Sequence, residues 1–183
     1  MADISALEPR EITEKQARKI IAQPISAEAF APYGALVDFD REPDFAINAG
    51  TCQRYHALAH CRAEGQEGQV AISLGRAQPI KLPLELKLME RHPLGTQAFI
   101  PLEPVARLVV VAPDKNGKPG RPLAFITGER QGIQYHINTW HGVFTPLHKP
   151  CDVLIVDRVG LGENLEEHVF NRPYLLSLPH SFS

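Results

Sequence analysis

Four leucines at every second position, Leu82, Leu84, Leu86 and Leu88, form the clearest amphipathic pattern in the chain and predict a strand over residues 80–90. Glu90 and His92 continue that parity, so an unbroken strand would turn both side chains to the leucine face. Pro93 and Gly95 then bend the chain, and Gln97 opens a run that can return to the same cavity. Elsewhere the pattern is one of short extended pieces. Residues 35–39, 45–50 and 52–59 come first, followed by the alternating 70–74. The Leu-Val-Val-Val run within 106–112 reads as a buried strand, 113–120 as an exposed hairpin loop and 123–127 as its return. A second polar cluster occupies 132–141, and 143–147 and 152–157 supply the last strands.

Helical signals sit near the N-terminus. Pro9 suits a first turn, Glu11 and Glu14 favour the positive end of a helix, Arg18 and Lys19 the negative end, and Pro24 stops it. Residues 1–24 are therefore expected to form a helical N-terminal extension, with a β-barrel domain over 25–183. Ser26 can cap a short helix ending at Phe30. The tail after Gly160 is acidic, then interrupted by proline, and is expected to wrap the surface. About ten short strands with closely spaced turns argue for an all-β, jelly-roll barrel whose mouth gathers side chains from several strands.

Composition narrows the function classes. The 183 residues are 44% hydrophobic and 22% charged, ordinary values for a globular domain, and sixteen prolines and thirteen glycines fit a turn-rich chain. A net charge of −2 without a basic stripe gives no reason to expect nucleic acid. Cys52, Cys61 and Cys151 form no Cys-x-x-Cys pair and are odd in number, against a disulfide framework or a zinc knuckle. No apolar run approaches the roughly 20 residues that span a bilayer, and the polar N-terminus is unlike a secretory signal. A cytoplasmic protein acting on a small molecule is expected.

Candidate chemistry collects in two places. Glu90, His92 and Gln97 lie on the first polar wall. His136 and His141 lie on the second, where a turn must intervene if both are to share a cavity; His141 is placed inside and His136 at the site or the surface. Arg76, leaving a strand before Ala77-Gln78-Pro79, is a candidate anion clamp. Tyr55 and His56 point to opposite faces, so one at most enters a site. Trp140 and Phe99 read as core or lining, and His60, His148, His168 and His180 as surface.

Small barrels of the cupin kind carry two histidines at i, i+2 with an acid five residues on, and a further histidine after a later turn. The present sequence resembles that pattern with Glu90 in place of the first histidine, His92 matching the second, Gln97 replacing the acid and His141 matching the last. It is similar, more closely, to the ureidoglycolate lyase family. The resemblance runs over residues 24–158, through Ile47-Asn48-Ala49-Gly50, Arg54-Tyr55-His56, Arg76-Ala77-Gln78-Pro79, the run 90–101 and Tyr135-His136-Ile137-Asn138-Thr139-Trp140-His141.

That resemblance implies a cytoplasmic homodimer that cleaves (S)-ureidoglycolate to glyoxylate and urea, with nickel or another divalent metal as cofactor. Glu90, His92 and His141 would be catalytic. Arg76 would hold the substrate carboxylate, an office also open to Arg54 or Arg91. Asn48, Gln97 and Asn138 would meet the urea end, with Tyr55 and His136 lining the site. A metal would be held by Glu90, His92, Gln97 and His141, a mixed nitrogen and oxygen set. The alternative is a non-enzymatic barrel that binds a small carboxylate or sugar as a sensor, and a third reading, a metal-dependent isomerase or dioxygenase, is disfavoured by the altered ligand set.

Overall fold

The structure is a computed structural model that describes residues 18–180. Two sheets dominate it. In the larger, seven strands run in the order β1 (Arg18–Ile21), β17 (Glu166–Ser177), β7 (Leu84–Arg91), β14 (Trp140–His141), β9 (Arg107–Ala112), β12 (Leu123–Ile126) and β2 (Gln23–Pro24), and β15 (Thr145–Pro146) pairs with β9 off this path. The smaller sheet runs β3 (Gly34–Val37), β13 (Gly132–Tyr135), β8 (Gln97–Pro101), β16 (Cys151–Val159) and β6 (Gln69–Ala77). Two small hairpins, β4 (Phe45–Ile47) with β5 (Cys52–Arg54) and β10 (Asp114–Lys115) with β11 (Lys118–Pro119), complete the strands. The expected all-β class is what forms, with a nearly closed, barrel-like larger sheet.

Closure comes from residues 18–24. β1 pairs with β17 at one edge and β2 with β12 at the other, although Ala22 alone separates them in sequence. The Ala22 N–H donates to the Ser177 carbonyl, and the Ile25 N–H to that of Ile126. Residues 18–24 are thus strands, not the end of a helix: Ile20 and Ala22 join the core, and that burial outweighs the end-charge signals. The rest of the expected helical extension lies outside the described residues. The short helix α1 (Ala27–Phe30) does form, with Ser26 Oγ accepting from the Ala29 N–H at 3.2 Å.

Two apolar cores result. One, including Ile20, Leu86, Met89, Leu108, Val110, Trp140 and Leu176, comes from the larger sheet and its connections. The other joins Val109, Val111 and Phe125 of that sheet to Phe99, Ile133, Tyr135 and Val153 of the smaller one. β9 lies between them with all six residues buried, which is why its sequence is a continuous apolar run rather than an alternation.

The leucine row departs from its expected regularity. Leu86 and Met89, three residues apart, share the first core, so the period of two breaks between them. The partner strand β17 shifts register over the same stretch, between Val169 and Tyr174. β17 is itself a correction: the tail expected on the surface contains a twelve-residue strand inside the sheet, between β1 and β7. Tyr174 and Leu176 supply the buried surface that holds it there.

Candidate functional site

Glu90 near the end of β7 lies opposite His141 of β14 in the ladder, and His141 Nε2 stands 3.4 Å from Glu90 Oε1. His92, just beyond β7, brings its ring centre to 5.3 Å from that of His141. From the smaller sheet, Tyr135 of β13 stacks on the His141 ring at 4.3 Å and 20°. Gln97 is the ladder partner of Tyr135, so the two side chains share a face. The cluster is therefore assembled between the sheets, from β7 and β14 on one side and β8 and β13 on the other.

The contacts fix the proton positions. His92 Nδ1 faces the Asn164 carbonyl at 2.7 Å and His141 Nδ1 the Thr139 carbonyl at 3.0 Å. A carbonyl can only accept, so each Nδ1 carries hydrogen; the neutral His92 ring presents Nε2 as a lone pair, and His141 Nε2 faces the Glu90 carboxylate. Both Nε2 atoms are buried without a hydrogen-bond partner, and so is Gln97 Oε1. Leaving a buried acceptor unmade costs about 1–3 kcal/mol, so three beside one carboxylate are a set shaped for an external group. Burial pushes the His92 imidazolium down, against the Asn164 carbonyl, which favours it. The neighbouring His141 ring holds Glu90 below the usual carboxylate value, against the opposing effect of its burial.

This donor set fits a metal. Glu90, His92 and His141 each offer one ligand atom, all within 4.8 Å of one another. An Nδ1–H bonded to a main-chain carbonyl is the arrangement that orients an imidazole for coordination through Nε2. Two imidazoles and a carboxylate suit a divalent transition ion, nickel among them.

A cavity of about 300 Å³ opens beside the cluster, lined by His92, Thr96, Gln97, Asp157 and Asn164 among others. Its mouth is tied together by the buried Arg158, which donates to the carbonyls of Glu64 at 2.7 Å and Leu161 at 2.5 Å. A larger cavity of about 680 Å³ lies away from the cluster, between the β4–β5 hairpin and the smaller sheet, lined by Phe39, Tyr55 and Leu102 among others. None of Glu90, His92 or His141 reaches it, whereas His92 and Gln97 line the smaller one.

The remaining expected site residues are not brought to the cluster. Arg76 is exposed on the edge strand β6, and both arms of its guanidinium are taken by Asp152 at 2.7 Å, so it is not placed as a carboxylate clamp for this cavity. Asn48 is exposed in the β4–β5 turn with φ 52°. Tyr55 packs edge-on against Phe39. His136 is exposed, its Nε2 3.3 Å from the Ala31 carbonyl. Asn138 is exposed in the left-handed region, φ 65°, and contributes through its main chain, its N–H donating to the His92 carbonyl at 3.0 Å. His168, expected at the surface, is half-buried against Trp140 and Phe170.

Three neighbours of the cluster were absent from the expected set. Tyr135 had a signal, its parity with Ile133 on a buried strand. Asp157 had a similar one in its parity with Val153. Asn164 had none, because it lies in a segment read as a surface tail.

An all-β barrel with two imidazoles and a carboxylate converging between its sheets presents a three-residue group able to hold a metal ion. Residues 17–177 match the family model described as ureidoglycolate lyase, and the chain belongs to that family. The ureidoglycolate lyase of Chelativorans sp. (strain BNC1) is 51% identical over 162 residues, covering 88% of this chain and 98% of that protein. That of Mesorhizobium japonicum is 51% identical over 161 residues, 88% and 99% of the two chains, and that of Rhodobacter capsulatus 47% identical over 158 residues, 86% and 98%. A crystal structure of a dTDP sugar isomerase from Desulfovibrio desulfuricans G20 aligns with TM-score 0.46 and 15% identity over 76% of this chain and 84% of that one, a likeness too loose to carry fold or function.

Proposed function

We propose that this chain is an enzyme that cleaves (S)-ureidoglycolate to glyoxylate and urea in allantoin catabolism, and that Glu90, His92 and His141 perform the reaction. Family membership supports the substrate. The convergence of two imidazole Nε2 atoms, an amide oxygen and a carboxylate between the sheets is the observation that carries the site.

Ureidoglycolate is a hemiaminal, whose central carbon bears a carboxylate, a hydroxyl and a ureido nitrogen. Lysis removes the hydroxyl proton, the carbon–oxygen bond becomes a carbonyl, the carbon–nitrogen bond breaks, and the departing nitrogen takes a proton. Glu90 is held ionised, so one carboxylate oxygen can accept the hydroxyl proton and return it to the leaving nitrogen. The neutral His92 ring accepts through Nε2 and, with His141, holds the reacting end in place. Gln97 is the amide best placed to meet the urea end. Glu90, His92 and His141 would hold nickel or another divalent ion, which when bound lowers the pKa of a coordinated hydroxyl.

A homodimer fits the surface. On the outer face of the smaller sheet, the edge strand β6 exposes Ile72 at 73% and Leu74 at 74%, beside the half-buried Leu154 and Val156 of β16. An apolar strip of this kind on an edge strand is a surface that a second copy covers. No helix among the described residues is long and apolar enough to cross a membrane, and the cytoplasm is the compartment we propose.

The test is the purified protein on racemic ureidoglycolate. Equal amounts of urea and glyoxylate should appear, and consumption should stop at half. Decay no faster than without protein would overturn the lyase reading.

A further inference from the structure

Away from the cluster, the β10–β11 hairpin and the bulged part of β17 border a cavity of about 460 Å³. Arg18, Lys115, Lys118, Arg121 and Arg172 line it together with His168, and no Asp or Glu is among its described lining residues. Five cations around one hollow are out of keeping with a chain whose net charge is −2. None of the ion pairs formed among the described residues engages Lys115, Lys118 or Arg172.

Part of the set is already ordered. Arg18 Nη1 donates to Tyr174 Oη at 2.7 Å, and its guanidinium carbon lies 5.1 Å from the centre of the Tyr174 ring. Arg121 Nη2 is held at 3.4 Å from the Lys19 carbonyl. Like charges held together repel, and the repulsion is relieved when an anion enters, because a concave wall of one sign focuses its field on the hollow. The depressed His168, pushed down by burial and then by Lys118, reports the same positive field.

We propose that this cavity is a binding site for a multiply charged, phosphate-bearing anion, separate from the Glu90–His92–His141 site. Arginine forks and lysine point charges together suit a phosphate chain, whose oxygens carry several charges at neutral pH. Phe170, half-buried on one wall and packed edge-to-face at 5.1 Å on the buried Tyr174, offers a nucleoside a surface that inorganic polyphosphate would not use.

The cavity is connected to the catalytic wall. Lys115 follows Asp114, whose carboxylate accepts from Arg91 at 2.7 Å and from Trp140 Nε1 at 3.0 Å. Arg91 and Trp140 are the chain neighbours of Glu90 and His141. Trp140 also touches His168 edge-on at 6.2 Å and lies under the Arg91 guanidinium at 4.6 Å. It is the single tryptophan of the chain, so its fluorescence reads the hairpin directly.

The experiment is calorimetric titration of the full-length protein with inorganic tripolyphosphate and, separately, ATP, with tryptophan emission followed in parallel. Saturable binding accompanied by a change in Trp140 emission is expected, weakening as salt rises past about 0.1 M. Lys115→Glu/Lys118→Glu, on the exposed hairpin, should raise Kd about tenfold or more, and so should Arg172→Ser, whereas His92→Ala should leave it unchanged. Equal affinity for the two probes assigns the site to the phosphate chain, and tighter ATP adds the aromatic wall; both support the proposal. No binding up to about 1 mM would overturn it, that being the weak end of specific association. So would binding that survives the hairpin variant but is lost in His92→Ala, since the anion would then occupy the cluster. None of these outcomes depends on the lyase activity.

Discussion

Glu90 and His92 carry opposite charges when ionised, yet acid acts on both in the same direction. Each has its pKa lowered in the fold, Glu90 from its ordinary 4.5 and His92 from its ordinary 6.5. Between the folded and unfolded values the native protein therefore binds fewer protons than the unfolded chain, so stability rises with pH and is lost as the pH is lowered. For His92 the loss begins as pH drops below about 6.5, where the unfolded ring protonates first; for Glu90 it begins below about 4.5 and is complete below its folded value. Urea denaturation of chelator-treated protein should show stability declining from pH 7 to pH 5, less so in His92→Ala. A flat profile with no difference between the two would contradict the burial argument. The sequence placed Glu90 and His92 on an inward face, but by a parity that breaks between Leu86 and Met89. The two polar side chains gather with His141 beside Tyr135 of the second core, while Leu82, Leu84 and Leu86 pack on the first. Their convergence with His141 was legible from the cupin resemblance. That both rings donate Nδ1–H to main-chain carbonyls was not, because the carbonyl of Asn164 comes from a distant segment.

At the level of the element, β1 and β2 make residues 18–24 part of the larger sheet. Read alone, residues 1–24 carry helix signals at both ends, and over 18–24 helix propensity is a weak prior that sheet closure overrides. Ile20→Ala should cost about 2–4 kcal/mol, the price of emptying a core site, measured by chemical denaturation. A change within about 0.5 kcal/mol would mark 18–24 as a surface appendage after all. β9 and the β10–β11 hairpin were legible for local reasons. A continuous apolar run marked the first, and Asn116-Gly117, both at positive φ, marked the turn of the second. β17 was not, because its charged residues and Pro173 mask an apolar parity that emerges when β1 and β7 flank it.

For the whole molecule, an all-β barrel could be read from turn spacing, whereas the placing of its two cores could not, since both draw on strands far apart in sequence. The exposed Ile72 and Leu74 lead to a prediction at this scale. Ile72→Glu should convert a dimer to a monomer in sedimentation while leaving the fold intact; an unchanged mass would move the interface elsewhere. The central claim, that the cluster between the sheets is where ureidoglycolate is cleaved, is tested most directly by His92→Ala. Its urea release from (S)-ureidoglycolate should fall at least about 10²-fold below that of the unaltered protein, with the circular dichroism of a folded barrel retained. A folded His92→Ala protein that releases urea at the full rate would contradict the account.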